Sequence, residues 1–325
     1  MSETPANPSP IHDLPPVEAP TAGFIIQLFV IPALIVGVVV VVWLLFGKLA
    51  GGERDAKSYV EKLKGDSADW RAAYELANLI QNDANLAQDG ELLGELTALL
   101  DQELSTEANP KFDQFLALTL GGFKTLDAKP VGGKPVDPLA TLAAALDPKH
   151  APTIRIAAAA SLAKHGARLD GKLESDVAVN ALAKASDASE PEVRQITAYA
   201  LGFFDGDAAI TALRGRLTDE DRFARYNAAI ALGRKGDPNA VAVFREILTP
   251  EAIGQVVKFE TKTETENKIE EIQLQGLDAL QTSVQAGNPT LAKLLRPELE
   301  GLSKAGQAGV RSRAGELTTL LASTE

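Results

Sequence analysis

The stretches TIRIAAAASLAKHG (153–166), EVRQITAYALGFFDG (192–206) and FARYNAAIALGRKGD (223–237) decide how this chain folds. Aligning Leu162, Leu201 and Leu232 superposes Arg155, Arg194 and Arg225, each seven residues upstream. WRAAYELANL (70–79) and FDQFLALTLGGF (112–123) fit the same frame more loosely, with Leu76 and Leu120 in register, and LQGLDALQTSV (274–284) places Leu280 there. Successive register leucines are 44, 42, 39, 31 and 48 residues apart. Periods of this length belong to stacked helix pairs.

Each unit carries the punctuation of two antiparallel helices. Gly166, Gly206 and Gly236 stand where a first helix should end in a left-handed cap, and Asp207 or Asp237 follows as N-cap of a second. Pro238 sits just inside that second helix, where a missing N–H costs nothing. AVNALAKA (178–185), AAITALRGRL (208–217) and AVAVFREIL (240–248) then space apolar residues three and four apart. One helix pair cannot bury its apolar face alone, so stability must come from stacking, and the expected shape is a curved, nearly all-helical rod.

The pattern resembles the HEAT-repeat superfamily, and within it the short PBS-lyase-type HEAT-like repeats. These carry an acidic turn, an Arg and an AAxALG core ending in Gly-Asp. The matching residues are Asp147 with Arg155, Asp187 with Arg194 and Asp219 with Arg225, followed by AAAASLA, ITAYALG and NAAIALG. The match is strong over about 140–248 and weaker over 67–139 and 270–323. The expectation is an all-α fold in which residues 67–325 form an α-solenoid of about six HEAT-like helix pairs. The acidic residue and Arg recurring in each unit would act as a ladder of charge-assisted hydrogen bonds between neighbours. In such solenoids second helices commonly line the inner face, which makes Arg214, Arg216 and Arg245 candidate partner contacts.

Upstream lies FIIQLFVIPALIVGVVVVVWLLF (24–46), 23 residues without a charge. As a helix it would reach about 34 Å, enough to cross a hydrocarbon core of roughly 30 Å with some tilt. It is too long for a buried core helix with no polar face, and it lacks the basic n-region, short apolar core and small-residue cleavage site of a secretory signal. Residues 1–23 contain no Lys or Arg, whereas Lys48, Arg54, Lys57, Lys62 and Lys64 follow the apolar run. The positive-inside bias therefore predicts a single-pass cell membrane protein with its N-terminus outside and its solenoid cytoplasmic. Trp43 suits the interface, and Pro32 suggests a kink. The expected domains are a disordered Pro-rich tail (1–23), a single transmembrane helix (24–46), a linker (47–66) and the solenoid (67–325).

Composition excludes several functions. The chain holds 32 Lys and Arg against 44 Asp and Glu, so no nucleic acid is expected as partner. With no cysteine there are no disulfides, thiolate metal sites or thiol nucleophiles. The three histidines, His12, His150 and His165, form no HExxH or His-Glu pair, which the di-iron hydroxylases among HEAT-like proteins would require. No residues mark a bilin site, and no nucleophile elbow is present. An enzyme is not expected, nor a cofactor, a metal or a small-molecule substrate.

Two segments break the rhythm. An insertion at about 250–270 contains GQVVKFETKTETENKIEE (254–271), whose period-two pattern suggests an extended strand or protruding loop bearing Phe259, a fourth candidate contact. DAKPVGGKPVD (127–137) lacks the strand, helix and Lys-Ser/Thr of a phosphate loop and reads as an inter-helix connection. Tyr199, Phe203, Phe204, Phe223 and Tyr226 read as core filling. The expected function is a membrane-anchored scaffold that binds a protein partner at the cytoplasmic surface. The alternative is a structural subunit of a membrane complex assembled through its transmembrane helix, where Ala33 and Gly37 offer a small-xxx-small face.

Overall fold

A computed structural model describes residues 56–64, 69–106, 108–169, 173–255, 257–304 and 307–323, together with Val36 and Val40. Val36 and Val40, one turn apart, are helical and exposed. Otherwise the tail, the expected span 24–46 and residues 47–55 lie outside the described residues. No helix among the described residues is long and apolar enough to cross a membrane.

Asp55–Glu325 forms one compact unit. Among its described residues there are sixteen α-helices and no strand, only an isolated bridge between Val131 and Lys134. The helices alternate between two layers. The first contains α2 (Trp70–Asn82), α4 (Pro110–Leu120), α6 (Pro152–Arg168), α8 (Pro191–Leu201), α10 (Arg222–Arg234), α13 (Lys262–Gln285) and α16 (Ala308–Ala322), each packed on the next. The second contains α1 (Ala56–Leu63), α3 (Gly90–Thr106), α5 (Pro138–Ala144), α7 (Asp176–Ala185) and α9 (Asp207–Arg216), also packed in series. It continues through the 3-10 turn Pro238–Ala240 and α11 (Val241–Ile247). α12 (Pro250–Gly254), α14 (Thr290–Leu294) and α15 (Arg296–Lys304) complete the C-terminal units.

Local chemistry fixes the helix starts. Asn109 and Asp137 cap α4 and α5 with a proline at the next position, and Pro152 and Pro191 open α6 and α8 the same way. Asp221 accepts the Ala224 N–H to cap α10, and Asp237 caps the 3-10 turn. Inside, Leu76, Leu120, Leu162, Leu201, Leu232 and Leu280 are all fully buried. The repeat register is thus the core register: these leucines occupy equivalent places in six successive first-layer helices.

Three expectations require correction. Gly166 ends no helix, because α6 runs on to Arg168. A Cβ there would lie 2.8 Å from Phe203 Cβ, so glycine is needed for the close approach of the next unit. Asp207 is the first residue of α9 rather than its cap, a place taken by Gly206 with φ of 106°. Among its described residues the segment 254–271 holds no strand. Thr261 accepts the Glu264 N–H while Glu264 accepts the Thr261 N–H, and this capping box launches the 24-residue α13. Lys262–Glu266 and Lys268–Glu271 then pair at helical spacing, so alternating charge and threonine here serves a solvent-facing first turn. Upstream of the repeats, α1 is a short amphipathic helix within 47–66 that buries Val60 and Leu63. Within the connection between α4 and α5, Gly132 and Gly133 make a tight turn at φ of 57° and 76°.

Candidate functional site

The acidic turns and arginines create the local electrostatics from which the candidate surface is built. The Arg194 guanidinium is almost fully buried and straddles two units. Nη1 donates to the Ala188 and Ser189 carbonyls in the turn before its own helix. Nε and Nη2 donate forward to Asp219 at 2.9 and 3.0 Å. Arg225 repeats the arrangement, donating to the Asp219 carbonyl at 2.6 Å and pairing with Glu246 at 3.3 Å. Arg155 pairs with Glu190 at 3.2 Å. Each arginine therefore joins its own turn to a carboxylate of the next unit, whereas the motif mates Asp147 with Arg155, Asp187 with Arg194 and Asp219 with Arg225 form no carboxylate pair with each other. The reason is geometric: the planar fork uses its own turn's carbonyls and has donors left for the next turn's carboxylate. Asp147 instead accepts the Lys149 N–H, which holds its carboxyl below the ordinary range.

Burial alone would raise the Asp219 carboxyl, but the Arg194 hydrogen bonds, the Asp221 amide and the charges of Arg194 and Arg216 outweigh it and hold it low. Arg216, at the end of α9, pairs with Asp219 at 3.1 Å and Asp187 at 2.6 Å. A chain of charges, Asp187–Arg216–Asp219–Arg194, thus links the turn after α7 to the turn after α9.

Beside this chain runs a groove of about 530 Å³ between α7 and α9. Its floor is Ala183, Ala208, Thr211, Ala212 and Gly215, and its rim carries Lys184, Asp187, Asp207 and Arg216. A second depression of about 480 Å³ shares Asp187, Gly215 and Arg216 and continues over Ser189, Thr218 and Glu220. Small side chains keep the floor low: a Cβ on Gly215 would meet nothing within 4 Å. The result is a shallow trough on the second layer, with small side chains along its floor and both signs of charge at its rim.

Of the four expected partner residues, Arg216 lines this groove. Arg214 is half-exposed and pairs with Asp237 at 2.7 Å, and Arg245 pairs with Glu298 at 2.8 Å. Both therefore bridge units. Phe259 is exposed beside the start of α13, and its N–H donates to Thr265 Oγ1. Sequence reasoning missed Ala208, Ala212 and Gly215. Their spacing of four and three residues marks one face of α9, but in an alanine-rich chain that signal does not stand out.

Two buried titratable groups complete the electrostatics. His165 has no exposure; Arg168 Nη2 donates to its Nδ1 at 2.6 Å, so Nε2–H donates to the Leu120 carbonyl at 3.1 Å. Arg168 also donates to the Phe123 carbonyl, so the pair clamps α6 onto the preceding unit. Burial and the Arg168 charge push the imidazole down to about 4. Asp113 on α4 is 1% exposed with neither carboxyl oxygen hydrogen-bonded, and burial, aided by Glu103, pushes it up to about 6. Among the described residues no group of three or more His, Cys, Asp or Glu could hold a metal.

A family profile described as HEAT repeats matches residues 178–258, the part that contains the groove. Solved structures similar to this chain include an archaeal HEAT-like repeat protein from Thermococcus onnurineus NA1, at 14% identity and a TM-score of 0.40 over 83% of this chain and 98% of that one. A designed armadillo repeat protein is similar at 13% identity and a TM-score of 0.38, over 82% and 100% of the two chains. Human deoxyhypusine hydroxylase is similar at 18% identity and a TM-score of 0.28, over 73% and 99%. No curated protein matches the sequence. The described chain is an all-α helical repeat solenoid in which residues 178–258 match the HEAT-repeat profile.

Proposed function

We propose that the chain is a membrane-anchored HEAT-repeat scaffold, without catalytic activity, that holds a protein partner at the cytoplasmic membrane surface. The observation that carries this reading is the α7–α9 groove, a shallow trough of about 530 Å³ that offers Arg216, Lys184, Asp187 and Asp207 to polar groups of a partner chain. Repeat arrays use such extended surfaces for recognition because their stacked helices hold them rigid. The uncharged segment 24–46 supports the anchoring half. Confinement to a surface raises the effective concentration of whatever the groove binds, without any new contact.

The chain has no cysteine, so single cysteines report its topology cleanly. Ser9→Cys and Ser323→Cys variants in intact cells are treated with an impermeant thiol reagent, and membranes are extracted with alkaline carbonate. The reading predicts retention in the membrane pellet and labelling at position 9 only. Extraction into the supernatant would remove the anchor; labelling at position 323 would invert the orientation.

A further inference from the structure

An aromatic and basic cluster faces outward on the first complete repeat. Trp70 on α2 stacks on Phe115 of α4 with ring centroids 5.3 Å apart, and Tyr74 meets the same Phe115 edge-on at 5.7 Å. Lys111 Nζ lies 3.6 Å from the Trp70 ring centroid, and Arg71 Cζ lies 4.9 Å from it. Tyr74 is half-exposed, Trp70 and Phe115 are partly so, and both cations reach solvent. Of the neighbouring carboxylates, Asp69 turns back to accept the Arg71 N–H, and Glu75 is exposed beside Tyr74.

We propose that this face docks on the interfacial layer of a bilayer containing anionic lipids. The inference rests on the membrane-anchored reading for its occupant. Its chemistry argues for a lipid surface: rings with one polar tip sit at headgroup level, and Lys and Arg stems lie along apolar surface while their charges meet lipid phosphates. Chain length argues the same way. Nine residues, 47–55, separate the apolar segment from α1, a chain length that spans about 30 Å at full extension. Lys48 and Arg54 fall in the same stretch, with Lys57 just after it, and add to the attraction. Docking would fix the orientation of the first repeat against the bilayer.

The two tryptophans, Trp43 and Trp70, supply the test, because each can be left as sole emitter in the full chain. Trp43→Phe and Trp70→Phe proteins are reconstituted in phosphatidylcholine–phosphatidylserine vesicles whose acyl chains are brominated near the headgroup. Docking predicts that Trp70 emission shifts to the blue and is largely quenched, and that Arg71→Glu with Lys111→Glu abolishes the quenching while circular dichroism is unchanged. Quenching that persists in this charge-reversed protein overturns the proposal. Quenching of Trp43 with none of Trp70 also overturns it and leaves the anchor standing. If neither tryptophan is quenched, the anchor itself has failed and docking falls with it.

Discussion

Arg194 and Asp219 form the most buried ion pair that joins neighbouring repeats, with 6% and 2% of their side chains exposed. Removing one partner leaves the other charge buried, so Arg194→Ala should lower unfolding free energy by about 3 kcal/mol in a urea titration. Asp219 is held low by its partners, so the stability it supplies is present above the unfolded carboxylate range and lost as pH falls through its folded value. His165 and Asp113 act in opposite directions nearer neutrality. The folded His165 stays neutral down to about 4, whereas the unfolded chain takes up a proton near 6.5, so its contribution disappears as pH falls between these values. Asp113 is pushed up to about 6 when folded, so stability is lost as pH rises from the unfolded carboxylate value of 3.8 to about 6, stays lower above that, and is regained as pH falls back through this window. Asp113→Asn should therefore stabilise the protein above pH 6 by about 1–3 kcal/mol and expose the His165 acid limb alone. Urea midpoints from pH 4 to 8 check both signs; no gain at pH 8 would show that the Asp113 carboxylate is satisfied. At this scale the six register leucines were legible, because a repeat places equivalent residues in equivalent burial. Which carboxylate each arginine takes in the next unit was not, since spacing along the chain does not give the distance to that unit's turn.

Single helices were legible to the extent that their ends carry chemistry. Asp237, with Pro238 behind it, was read as a start and is one; Asp221 and the prolines of α4, α5, α6 and α8 carry the same chemistry, but the repeat reading did not use them. The N-terminus of α13 was misread because Glu-Thr-Lys-Thr alternation satisfies a strand pattern and a solvated helix turn equally well. The capping box at Thr261 and Glu264 decides between them, so Thr261→Ala should cost about 1 kcal/mol and speed amide exchange in the first turn of α13. Exchange unchanged there would mean that packing against α12 holds the turn instead. Gly166 shows the same ambiguity from the other side: glycine signals a cap or a close approach, and only the position of Phe203 distinguishes them. Gly166→Ala should therefore lower the melting temperature, because the new Cβ displaces Phe203. An unchanged melting temperature would show that the next unit can shift to make room.

Over the whole unit, α2 through α16 form an array in which each first-layer helix packs on the next, so local changes at one seam load the neighbouring seams. That organisation was legible from the period alone. The groove was only partly so: Arg216 stood out as a charge on a second helix, while the alanines and Gly215 that form its floor merge with the alanine background. The central claim is that a partner lies along this floor, and Gly215 offers the most direct test, since its open side accepts a large side chain without touching the core. A photoreactive residue in place of Thr211, in the full chain in its native membranes, would report what occupies the groove. The account predicts one discrete cross-linked protein that vanishes when Gly215→Trp fills the trough, with the melting temperature unchanged. A cross-link that survives Gly215→Trp, or none at all from Thr211, would contradict it.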